Sequence, residues 1–97
     1  MPLPRQVIIA SKKYRISRTR DMSIHGETLL DQKIIRINTS LSDSPHTLMH
    51  ELLHAIWHEY QIKHRKDSEE RIVMTLENAI IQVLSENPKV RKYILGI

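Results

Sequence analysis

The spacing of apolar and polar positions changes period near the middle of the chain. Val7-Ile8-Ile9 is a short β-branched run, and Tyr14 and Ile16 alternate with Lys13, Arg15 and Ser17. Both stretches read as short strands, joined or interrupted near Ser11-Lys12. Residues 24–30 predict a further strand with Gly26 at a bulge or bend, and Asp31-Gln32-Lys33 suits a turn. Ile35-Arg36-Ile37-Asn38 alternates cleanly, as a strand with one buried face does. After a Ser-, Thr- and Asp-rich stretch over 39–45, the period becomes helical. Leu48, Met49, Leu52, Leu53, Ile56, Trp57 and Tyr60 fall on one stripe, predicting a helix from 45 to about 60 that buries this stripe, Trp57 included. Ser44 suits its N-cap and Pro45 its first helical position. Residues 61–67 are polar and basic and read as a connection. Ser68 can cap a second helix carrying Ile72, Val73, Leu76, Ala79, Ile80, Val83 and Leu84. That helix ends at Asn87-Pro88, because proline disfavours helix at the residue before it. Val90, Tyr93, Ile94 and Leu95 suffice for a short helix or strand against the core. Strands first and helices afterwards argue for an α+β domain over 1–97, with an N-terminal antiparallel sheet of about three strands followed by two packed helices.

Composition narrows the chemistry. The 97 residues include no cysteine, so there are no disulfides and no thiolate metal ligands. Any zinc must be held by His and carboxylate, which favours a catalytic over a structural site. No run of about 18 apolar residues is present, so no membrane span is expected. The first residues lack a signal-peptide core, and with the absent cysteines this fits a cytoplasmic protein. The formal net charge of +4 permits an acidic partner without requiring one.

Within the first predicted helix, His50, Glu51 and His54 stand in the order H-E-x-x-H. Residues four apart on an α-helix lie on one face, one turn above each other, so the two imidazoles can grip one metal ion. Glu51, rotated by about 100° from His50, lies beside that ion, where it can hold and deprotonate a metal-bound water. The bland alternative is an amphipathic core helix with two incidental histidines. The full motif, in a well-started helix with the histidines flanking the apolar stripe, favours metal.

A catalytic zinc takes three protein ligands and one water. The remaining candidates are His58, His64, Glu69, Glu70 and Glu77. His58 lies about 12 Å along the helix from His50, too far for one tetrahedral ion. The longer pattern H-E-x-x-H-x-x-G-x-x-H fails, since its glycine position is Trp57 and its last histidine position is Tyr60. Glu69 and Glu70 open the second helix, where acids also serve the helix dipole, and spacing alone does not choose between them.

The helix Thr-Leu-Met-His-Glu-Leu-Leu-His-Ala-Ile over 47–56, followed by Glu70-Arg-Ile-Val-Met-Thr-Leu and the ending at Asn87-Pro88, resembles the small phage and bacterial metallopeptidases related to the ImmA/IrrE group. Those proteins are similar in a tLxHElLHai helix and a second E-x-x-V-x-x-L helix ending near N-P. Residues 7–16 and 26–38 resemble their strands more loosely. The resemblance implies a minimal zincin-like domain in the cytoplasm, phage-encoded and acting within a host cell. It implies a Zn²⁺ held by His50, His54 and Glu70, with the doubled acid leaving Glu69 one residue away.

The expectation is therefore a zinc metallopeptidase. Its water is activated by Glu51, and its substrate is a protein or peptide; the resemblance implies a regulatory protein of a phage or mobile element. His58, Tyr60, His64 and His25 are candidates for steadying the oxyanion. Residues 34–38 are a candidate edge for an extended peptide, or an ordinary core strand. Two alternatives remain: a metal-stabilised scaffold without turnover, and a nucleic-acid-binding module using Lys12, Lys13, Arg15, Arg18 and Arg20 with Lys63, Arg65 and Lys66.

Overall fold

The computed structural model describes residues 2–41 and 43–97. Four strands, β1 (Gln6–Ile9), β2 (Lys12–Arg18), β3 (Gly26–Leu29) and β4 (Ile34–Ile37), precede three helices, α1 (Ser44–Glu59), α2 (Glu69–Glu86) and α3 (Pro88–Leu95). The α+β order follows the sequence reading. The sheet does not: it has four strands in the order β1-β2-β4-β3 and is mixed. β1–β2 and β3–β4 are antiparallel hairpins, but β2 and β4 run parallel, with Ile16 beside Ile35. Alternation along a strand fixes which residues face the core and leaves the choice of neighbour open. Residues 34–37 form an interior strand paired on both sides, so the edge candidate at 34–38 is withdrawn.

Turn chemistry explains the hairpins. Ala10 and Ser11 both adopt positive φ (51° and 65°) between paired Ile9 and Lys12, the two-residue turn whose twist matches its strands. Lys33 (φ 56°) closes the β3–β4 turn. Inward-facing Val7, Ile9, Tyr14, Ile16, Ile35 and Ile37 of the sheet meet Leu48, Leu52, Ala55 and Ile56 of α1, Ala79 and Val83 of α2 and Val90 of α3 in one buried cluster. Among the described residues, all three helices therefore lie on one face of the sheet, and no helix covers the other.

Asp43, not Ser44, stands at the N-cap of α1, in the left-handed region (φ 65°) and without a side-chain cap bond. Ser44 is the first helical residue, and its hydroxyl lies 2.7 Å from the Tyr93 hydroxyl on α3, which draws it away from capping. Ser68 caps α2 as expected, accepting from the Arg71 amide. The tail is helical and ends at Gly96 in the left-handed conformation (φ 77°) that a Cβ disfavours. Leu53 and Trp57, expected on the buried stripe, are 36% and 37% exposed. The stripe is wider than the surface that the sheet, α2 and α3 cover.

Asn87 does more than end a helix. Its side chain donates to the Ile8 carbonyl at 2.9 Å and accepts from the Ile8 amide at 2.8 Å, standing in for a neighbouring strand. The outer edge of β1 is thus capped at Ile8.

Candidate metal centre

α1 crosses the β3 side of the sheet and presents the motif at that end. Its period turns Leu48, Leu52, Ala55 and Ile56 inward and leaves His50 and His54 on the exposed face. The two rings meet edge to face, with centroids 4.9 Å apart, and their Nε2 atoms lie 3.2 Å from each other. Two nitrogens bound at about 2.1 Å to one tetrahedral ion stand roughly 3.4 Å apart. The separation matches that of two ligands on one zinc, and it is equally that of a hydrogen bond from one ring N–H to the other ring's bare nitrogen.

Glu51 sits on the side of α1 that faces β3 and is only 7% exposed. The Thr28 hydroxyl of β3 lies 2.8 Å from its Oε1 and 3.1 Å from its backbone carbonyl oxygen. This close approach of helix and strand depends on Gly26. A Cβ there would stand 2.9 Å from Thr47 Cγ2, 3.0 Å from the Arg36 carbonyl oxygen and 3.3 Å from Glu51 Cγ. Gly26 begins β3 without a bulge, so its lack of a side chain serves packing. Gly26→Ala is expected to push α1 off β3 and cost about 1–3 kcal/mol, the usual range for overpacking. Thermal melts check this, since a domain this size loses about 4–8 °C per kcal/mol; an unchanged melting temperature would show that the contact is slack.

Beside this contact runs a cleft of about 410 Å³ lined by Ile24, His25, Gly26, His46, Thr47, His50 and Glu51. Of the four oxyanion candidates, His25 lines this cleft, whereas Tyr60 lines a separate depression with Ala10, Ser11 and Asn78. The buried Asn38 shapes the approach to the cleft, donating to the Asp21 carbonyl at 3.1 Å and the Ile24 carbonyl at 3.4 Å.

Among the described residues, β3 is an edge strand, paired only to β4. The Asn38 amide donates to the His25 carbonyl at 2.8 Å, which sets the phase of the pairing. Alternation then turns the backbone groups of Gly26 and Thr28 outward, next to the motif helix.

Glu69, Glu70 and Glu77 are exposed on α2. Among the described residues, no three His, Asp or Glu side chains gather around one metal-sized point, so the structure unites His50 with His54 but brings neither Glu70 nor Glu69 to them. Thr28 and His46 belong to the site and were not singled out from the sequence. Both had a signal: Thr28 shares a strand face with Gly26, and His46 lies one turn before His50. No helix among the described residues is long and apolar enough to cross a membrane. Compared with family models, curated proteins and solved structures, the chain matches none.

Proposed function

We propose that this protein is a zinc-dependent metallopeptidase of minimal zincin-like form, acting on a protein or peptide substrate in the cytoplasm. The observation that carries the reading is the convergence of His50 Nε2 and His54 Nε2 to 3.2 Å beside the buried carboxylate of Glu51. His50 and His54 would hold the ion through neutral ring nitrogens; Glu70, which the resemblance implies as third ligand with Glu69 as its one-residue alternative, stands apart from the pair and would complete the set only if α2 moved toward α1. A zinc ion held there would supply Lewis acidity to a peptide carbonyl and a water. Glu51 would take a proton from the attacking water and pass it to the leaving amine as the C–N bond breaks. His25 is the candidate donor to the oxyanion. The outward backbone groups of Gly26 and Thr28 offer an extended substrate a strand to pair with. The resemblance to the ImmA/IrrE group suggests a regulatory protein of a phage or mobile element as the substrate.

A weaker second reading, nucleic-acid binding, has one observation in its favour: Lys13 and Arg15 are exposed on the sheet face that no helix covers. Arg36, on the same face, is already paired with Glu27 at 3.2 Å.

The test of the first reading is a peptide-library screen with the zinc-loaded protein. Cleavage that a chelator abolishes and added zinc restores supports it. A fully loaded protein that cuts neither peptides nor unfolded proteins contradicts it.

A further inference from the structure

We infer that Thr28 is a positioning residue for Glu51, fixing one oxygen of the carboxylate so that the other is the one that exchanges a proton. The inference rests on the metallopeptidase reading and adds to it a residue outside the motif.

A glutamate side chain has three rotatable bonds, and an effective base holds its carboxylate within about 0.5 Å of a productive position at hydrogen-bond distance from the reacting water. Three observations show how this chain holds it. The Thr28 hydroxyl lies 2.8 Å from Glu51 Oε1 and 3.1 Å from the Glu51 carbonyl oxygen, so one hydroxyl grips both ends of the residue. Threonine is β-branched and stiff at χ1, and Thr28 is paired to Ile35 within the sheet, so the hydroxyl sits on a rigid support. Gly26, on the same face of β3, brings the strand close enough for this contact, with a Cβ position only 3.3 Å from Glu51 Cγ.

The consequence is a division of labour between the two oxygens. Oε1 is taken by Thr28. Oε2 accepts from no protein donor among the described residues and is the oxygen left for the proton. A hydroxyl has one proton, shared between two acceptors, so the carboxylate is held without being neutralised. Valine at position 28 keeps shape and strand preference and removes only the donor. Serine returns the donor without the methyl group.

The experiment compares zinc-loaded wild type, Thr28→Val, Thr28→Ser and Glu51→Gln, each first checked for zinc content and thermal melting. The probe is acetohydroxamate, titrated by calorimetry, because a hydroxamate binds the metal while giving its hydroxyl proton to a correctly placed base. Loss of a supporting hydrogen bond around a metal site typically costs about 10–100-fold. Thr28→Val is therefore expected to bind the probe about 10-fold or more weakly at unchanged zinc content, with Thr28→Ser within about 3-fold of wild type. On any cleaved peptide, Thr28→Val should lower kcat and leave KM in place. Equal probe affinity in wild type and Thr28→Val, each carrying one zinc, overturns this inference alone. A wild type that takes up no zinc overturns the metallopeptidase reading and this inference with it.

Discussion

Glu51→Gln is expected to lower peptide hydrolysis by about 10²–10⁴-fold, the usual contribution of a positioned general base. Glutamine matches glutamate in size and can still accept from the Thr28 hydroxyl, which lies 2.8 Å from Oε1 in the native protein. The close approach to Gly26 then survives, and zinc uptake should remain near that of the wild type. On the proposed mechanism, what is lost is the capacity to hold a proton between the attack of water and the departure of the amine. The check is kcat on a peptide that the wild type cleaves, measured alongside zinc content. Full activity at full zinc occupancy would remove Glu51 from the mechanism.

The largest effect on stability is expected at the other end of the same helix. Glu59 is 3% exposed at its side chain, bonded to the hydroxyl of the fully buried Tyr14, and paired with Lys12 at 3.1 Å and Lys33 at 3.0 Å. The Lys33 ammonium also lies 5.4 Å from the centre of the Tyr14 ring. This cluster ties the end of α1 to the turns of both hairpins. Burial pushes the Glu59 carboxyl up, but the hydrogen bonds from Tyr14, Lys33 and Lys12 outweigh it and hold the pKa at about 2, against an ordinary 4.5. Burial and the neighbouring carboxylate raise the pKa of the Tyr14 hydroxyl.

A carboxyl whose pKa is depressed by folding stabilises the fold above its unfolded pKa. That stability disappears as pH falls from about 4.5 to about 2. At about 1.4 kcal/mol per unit, the contribution is roughly 3 kcal/mol near neutrality. Glu59→Gln should cost most of this at pH 7 and flatten the acid limb of the stability curve between those two values. Urea unfolding of both proteins across pH 2–7 checks it. A variant with the stability and acid sensitivity of the wild type would show that the cluster holds nothing.

The two parts of the protein were unequally legible in the sequence. The helical stripes around Leu48 and Leu52 and around Ala79 and Val83 placed α1 and α2, and the cap at Ser68 and the stop at Asn87-Pro88 placed the ends of α2, because these signals are local. The parallel contact of β2 with β4 depends on how two hairpins meet across the sheet, and no local pattern records it. Ser44 looked like a cap by composition, but Tyr93, 49 residues away, competes for its hydroxyl.

The candidate site divides in the same way. His50 and His54 follow from the helix period alone. The burial of Glu51 does not, since it depends on the absence of a side chain at Gly26 and on a hydroxyl from β3. The choice between Glu69 and Glu70 depends on the angle at which α2 meets α1, which the spacing of neither residue encodes.

Zinc stoichiometry decides whether His50 and His54 hold a metal. Protein purified without chelator, and the same protein titrated with zinc, would be assayed for bound metal beside His50→Ala, His54→Ala, Glu69→Ala and Glu70→Ala. One zinc per chain is expected, lost in both histidine variants and in one glutamate variant. A folded wild type that neither carries zinc nor takes it up would contradict it, and would make the convergence of the two rings a packing feature of an exposed helix face.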